Sequence, residues 1–144
     1  MPLLDYTTSI SPFRTIGELQ ETLVVHGARK ILTEYNDNGK ITGLSFMVET
    51  PAGLIPIRLP VAVDKVQRIL EKQRAPKRDV EQAERVAWRN IYHWVVAQMA
   101  LLETSMVSID EIFLPYVTQQ DGRTLYTAFQ ESQYKLTGGN EKNA

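Results

Sequence analysis

Residues 79–104 constrain the fold more than any other stretch of the chain. Asp79-Val80-Glu81-Gln82 has the capping-box pattern that opens a helix, and helical periodicity then continues to about residue 104. At 1.5 Å per residue such a helix is roughly 37 Å long, about the diameter of a domain. Its first half is amphipathic. Its second half, Trp94-Val95-Val96-Ala97-Gln98-Met99-Ala100-Leu101-Leu102, is apolar nearly all round, which predicts a helix covered on several sides. Crossing a bilayer takes about 20 mostly apolar residues, and Arg89, Asn90, His93 and Gln98 interrupt the window 86–102, so a buried helix of a protein core is expected.

The cover for that helix has to come from elements earlier in the chain. Residues 1–14, with Pro2 and Pro12, read as an extended arm, and Thr15-Ile16-Gly17-Glu18 is a capping box that predicts a helix start. Ile16, Leu19, Leu23 and Val24 supply its apolar stripe, and Gly27 ends it. Three strands follow, at 31–35, 40–50 and 54–61. Asn36-Asp37-Asn38-Gly39 joins the first two, and Asn-Gly favours a type I′ hairpin. Leu44, Phe46 and Val48 alternate onto one face. Pro56 and Pro60 lack a ladder N–H, which puts the third strand at a sheet edge. A helix at 62–74 turns Val63, Val66, Ile69 and Leu70 inward and Lys65, Arg68 and Lys72 outward. The segment Arg74-Ala75-Pro76-Lys77-Arg78 breaks it. Ser108-Ile109-Asp110-Glu111 caps a short turn before Pro115, a last helix is expected at 125–134, and 137–144 is a polar tail.

The predicted fold is therefore α+β: a three-stranded antiparallel meander preceded by one helix and packed by a following helix and a long central helix. The order is α-β-β-β-α-α with small C-terminal helices. A single domain spanning 15–136 is expected, between the arm at 1–14 and the tail at 137–144. The N-terminus lacks the basic start and apolar run of a secretory signal, so a cytoplasmic protein is expected.

Chemistry is constrained mainly by what the 144 residues omit. No cysteine is present, which removes disulfides, Cys nucleophiles, Cys-ligated clusters and Cys-containing zinc fingers. The two histidines, His26 and His93, lie in different elements, and no H-E-x-x-H pattern exists. No G-x-S-x-G elbow or phosphate-cradling glycine loop is found either. No cofactor or metal is expected, and these absences argue against an enzyme. His26 sits where an imidazole can bond the loose carbonyls of a helix C-terminus. Glu81, Arg85, Arg89 and His93 recur every four residues, as a ladder of ion pairs or as an anion site built from Arg85, Arg89 and His93. Trp88, Tyr92 and Trp94 read as core anchors rather than platforms for base stacking.

The net charge of −1 conceals a segregation. Residues 65–89 carry eight basic side chains (Lys65, Arg68, Lys72, Arg74, Lys77, Arg78, Arg85 and Arg89) against four acidic ones, whereas 90–134 carry one basic against five acidic. A basic face of this kind neutralises phosphates in a sequence-independent, salt-sensitive way. The other reading is a solvated face, or one that pairs with the acidic part of its own fold or of a second copy.

Two resemblances accompany these patterns. Residues 15–74 have the element order and length of a double-stranded-RNA-binding domain, which they resemble in topology. That family's basic cluster is reduced here to Lys65, and its Gly-Pro-His-type loop is replaced by Asn36-Asp37-Asn38-Gly39. Both departures remove its phosphate and minor-groove contacts, so its function does not carry over. The stretches TIGE, HGAR, SFMVETPAGLIPIRLP and ERVAWRNIYHWVVAQMALLE, followed by FLPYV and GRTLY, are similar to a set of small uncharacterised proteins of bacterial prophages and other mobile elements. That resemblance implies a phage or mobile-element setting and a non-enzymatic role. The expected function is a binding protein that contacts nucleic acid, or a nucleic-acid-handling protein, through the basic surface. The alternatives are a protein-interaction or inhibitor module acting on a host protein, and a small enzyme around the anion site. Homodimerisation through the apolar half of the long helix is compatible with either binding role.

Overall fold

The computed structural model describes residues 1–136; the tail expected at 137–144 lies outside the described residues. The first helix, α1 (Pro12–Val25), starts four residues earlier than its capping box predicts. Ser11-Pro12 wins because the Ser11 hydroxyl accepts from the Arg14 amide at 3.2 Å while Pro12 fills a first-turn position that needs no N–H. Thr15 thereby moves inside the helix and is fully buried. The arm is correspondingly shorter and is not simply extended: Asp5 has φ 61°, and the Thr8 amide donates to the Asp5 carbonyl at 2.9 Å.

Strands β1 (Ala28–Tyr35), β2 (Ile41–Thr50) and β3 (Gly53–Arg58) form an antiparallel meander in the order β1-β2-β3. The first hairpin is not type I′, which requires positive φ at both central residues. Of its loop residues only Gly39 is left-handed (φ 75°). Asn36 sets the geometry instead. Its side-chain oxygen accepts from the Asn38 and Lys40 amides, and its carbonyl accepts from the Gly39 amide. The result is a three-residue loop with glycine at the bulge position.

The edge position of β3 follows from Pro56. Its carbonyl accepts from the Thr118 amide at 2.9 Å, so its missing N–H points to the same outer side and costs β2 nothing. An isolated bridge between Ile57 and Val117 lies along the same edge. Pro60 falls just beyond the strand.

Leu44, Phe46 and Val48 point inward as their alternation predicts, with Ile41, Ile57 and Leu59 beside them. They pack on Ile16, Leu19 and Leu23 of α1 and on Trp88, Val95 and Met99 of the long helix α3 (Val80–Glu103). Phe113 is fully buried between Phe46 and Trp94, edge-to-face with both at centroid distances of 5.3 and 5.7 Å. It belongs to the C-terminal elements: α4 (Ile109–Ile112), with the expected capping box at Ser108 and Glu111, a 3-10 turn (Leu114–Tyr116) and α5 (Leu125–Glu131). A second cluster joins Leu70 of α2 (Val63–Lys72) to Ala75, Ala83 and Val86, with Leu3 and Tyr6 of the arm packed against it.

The burial of α3 inverts the expectation from its sequence. The amphipathic first half is the more covered one: Gln82, Ala83, Val86, Ala87 and Trp88 are buried while Val80 and Glu81 stay exposed, because α2 and the arm close much of the side that α1 and the sheet leave open. In the apolar second half only Val95 and Met99 are buried, and Val96, Ala97, Ala100 and Leu101 are exposed. Val24, expected on the apolar stripe of α1, and Ile69, expected to face inward on α2, are 58% and 40% exposed. No helix among the described residues is long and apolar enough to cross a membrane.

Candidate functional site

The basic face is built on α2, which fully buries only Leu70. Lys65, Arg68 and Lys72 recur at helical spacing on the opposite side and are exposed. The helix ends in a Schellman turn: the Ala75 amide donates to the Leu70 carbonyl and the Arg74 amide to the Glu71 carbonyl, at 2.9 and 3.0 Å. Ala75 is buried in the same cluster as Leu70, which is the apolar contact that this turn requires. The left-handed position of the turn, usually glycine, is held by Arg74 with φ 54°. Buried Ala75 thus turns the chain while Arg74, Lys77 and Arg78 stay in solvent.

Residues 65–78 present six cations and one acid, Glu71. Among the described residues the one ion pair made by these cations is Arg68 to Asp64, at 3.5 Å and exposed on both sides. An exposed i,i+4 pair of this kind contributes about 0.3–0.5 kcal/mol and is easily exchanged for another anion.

Arg85, Arg89 and His93 do not join this face. Arg85 donates to the Gln82 side chain at 2.9 Å and borders a cavity of about 130 Å³ with Glu81, Glu84 and Lys40. Arg89 reaches α1, where it bonds the Thr15 hydroxyl at 3.2 Å and the Glu18 carboxylate, and its guanidinium lies 4.5 Å from the centroid of the Tyr92 ring. That hydrogen bond from Arg89 holds the Glu18 carboxyl below its ordinary pKa. His93 turns to the arm, its Nδ1 lying 2.7 Å from the Asp5 carboxylate. The predicted Glu81/Arg85/Arg89/His93 stripe is therefore split among three neighbours, and Arg89 and His93 each already contact a carboxylate of this chain.

His26 takes the helix-terminal role expected of it. Its Nδ1 lies 2.8 Å from the Thr22 carbonyl and its Nε2 2.9 Å from Glu103 at the end of α3. Both contacts favour the imidazolium, the Glu103 bond most, and raise its pKa. Trp88 is fully buried, and Trp94 packs edge-to-face on Phe113 and Tyr116, as core anchors do. No group of three potential metal ligands exists among the described residues.

Sequence reasoning missed the outer face of the sheet. Lys30, Leu32, Ser45, Met47, Pro56 and Thr118 border an open groove of about 420 Å³ there. Its signal was present in the alternation of β1, which sends Ile31 inward and Leu32 outward. No protein family matches the chain, nor does any curated protein or solved structure.

Proposed function

We propose that this chain is a non-enzymatic binding protein of a phage or mobile element that contacts nucleic acid through the basic face of α2 and the turn after it. One observation carries the reading: six cations within fourteen residues stay exposed and, among the described residues, make a single surface ion pair, while Arg85 turns to Gln82 on its own helix and Arg89 pairs with Glu18 of α1. Arg74 occupies a left-handed position that glycine would hold at lower backbone cost, and its side chain adds a sixth cation to this face. The contacting set is accordingly Lys65, Arg68, Lys72, Arg74, Lys77 and Arg78.

Fluorescence anisotropy with single- and double-stranded DNA and RNA at about 50 mM salt tests the reading. If all six cations neutralise phosphates, the slope of log K against log salt approaches about −5 on duplex and about −4 on single strands. The triple variant K65E/R68E/K72E abolishes binding, whereas R85Q leaves it unchanged. No binding of any of the four at micromolar protein overturns the reading. A single protein partner recovered in stoichiometric amount after nuclease treatment would favour the protein-interaction alternative instead.

A further inference from the structure

We infer that the C-terminal half of α3 is the interface of a two-fold dimer, in which two α3 helices pack antiparallel about a point between Ala97 and Ala100. His93, Val96, Ala97, Ala100, Leu101 and Thr104 recur at three- and four-residue spacing along one side of the helix and are all exposed. No Asp, Glu, Lys or Arg occurs between His93 and Glu103, so the centre of this side, around Ala97 and Ala100, is covered without desolvating an ion. The same side of the first half of α3 is occupied by α2 and by the arm, whose Leu4 carbonyl accepts from Asn90 and whose Asp5 meets His93. The stripe is thus a continuation of a seam that this chain fills itself as far as His93 and leaves bare beyond it.

A second copy of the chain fits the bare half on three grounds. The first is area. Leu4, Val96 and Leu101 are 59%, 40% and 42% exposed, and with His93, Ala97, Ala100 and Thr104 they present on the order of 400 Å² per copy, so a pair falls in the range of weak, concentration-dependent interfaces below about 1,200 Å². The second is shape. Ala97 and Ala100 at the centre let two helices approach to about 8 Å, with Val96 and Leu101 as flanking knobs. The third is direction. A parallel partner would drive its α2 and arm into those of the first copy, because both lie on this same side. An antiparallel partner sends its own α2 beyond the end of α3, and helix dipoles favour that arrangement. A two-fold at Ala97/Ala100 then sets Asn90 level with residue 107 of the second copy. Leu4, held beside Asn90 by its own carbonyl, is thereby set against the chain that follows α3 of that copy, which gives this exposed side chain of the arm a neighbour.

Sedimentation of the full chain from low micromolar to several hundred micromolar tests this. A concentration-dependent shift from 16.4 kDa to twice that mass is expected. Because Leu101 is exposed, Leu101→Glu leaves the fold intact by circular dichroism while weakening dimerisation by about a hundredfold or more, as two buried like charges would. The chain has no cysteine, so crosslinking reads the register directly: Ala97→Cys mixed with Ala100→Cys gives a disulfide dimer on mild oxidation. A 16.4 kDa species at every concentration, or a dimer that Leu101→Glu does not weaken, overturns the inference. Neither outcome bears on nucleic-acid binding, which the α2 variants test separately.

Discussion

Replacing Phe113 by alanine should cost about 4 kcal/mol, a large part of the ~5–15 kcal/mol available to a domain. The ring is fully buried and stands edge-on to Phe46 of the sheet and Trp94 of α3, with interplanar angles of 84° and 90°. Truncation removes the transfer free energy of the ring, leaves a cavity, and deletes two aromatic pairs each worth about 0.5–1.5 kcal/mol. Phe113→Leu keeps most of the volume and loses chiefly the aromatic geometry, so it should cost about 1.5 kcal/mol. Urea unfolding followed by far-ultraviolet circular dichroism measures both, and near-ultraviolet dichroism reports on Trp94. The alanine variant should also melt about 12 °C lower. Equal, small losses for both variants, under about 1 kcal/mol with an unchanged denaturant slope, would show that Phe113 does not tie the C-terminal segment to the sheet.

The Glu18 carboxyl is held below its ordinary pKa by Arg89, so its contribution is full above the unfolded value and is lost as pH falls through the folded one. Glu18→Gln should therefore flatten the acid limb of a stability-versus-pH curve, and an unchanged limb would refute the pairing. His26 has the opposite sign. Its raised pKa gives stability that is complete below about 6.5 and fades as pH rises through the folded value, and Glu103→Gln should remove most of that slope. Arg74→Gly should raise stability by about 0.5–1 kcal/mol by relieving a left-handed backbone, while weakening nucleic-acid binding; a loss of stability would mean that the Arg74 side chain itself holds the turn. At Gly43 a Cβ would lie 2.7 and 2.8 Å from the Glu34 and Arg58 side chains, whose ion pair arches over β2. Gly43→Ala should displace that half-exposed pair for about 1 kcal/mol or less, and a loss well above 2 kcal/mol would show that the pair cannot move aside.

Most of the architecture was legible because its signals are local. The alternation of Leu44, Phe46 and Val48, Pro56 of β3 and the acidic cap at Asp79 each act within a few residues of chain, and each does in the structure what its chemistry requires. The misses arose where two local signals competed. Thr15 and Ser11 both offer a helix cap, and Pro12 decides between them. Asn38-Gly39 favours a two-residue turn, but Asn36 captures two amides and enforces a longer one. Gln82 illustrates a third kind of limit. As the fourth residue of its capping box it is expected to reach back to Asp79. Instead it is buried and donates to the Tyr6 and Thr8 carbonyls, seventy-odd residues away. Nothing in the local sequence specifies that bond, because its energy comes from closing the arm over α3.

The candidate site was half legible for the same reason. Charge counting along the chain treats residues 65–89 as one surface, which is sound where the cations share the outer side of α2 and the turn that follows. It fails at Arg85 and Arg89, because a helix flanked on both sides exposes no continuous stripe, and an arginine one turn further along meets a different neighbour. The apolar half of α3 misleads in the opposite direction. Hydrophobicity all round a helix predicts that every side is covered, but it does not say by which molecule. In this fold α1 and the sheet cover one side, and the elements that could close the other are already spent on the first half of the helix. The composition of residues 94–102 and their exposure are both satisfied if the missing cover is a second α3. The sequence expectation and the structure then describe the same helix, one in the assembled pair and the other in the single chain.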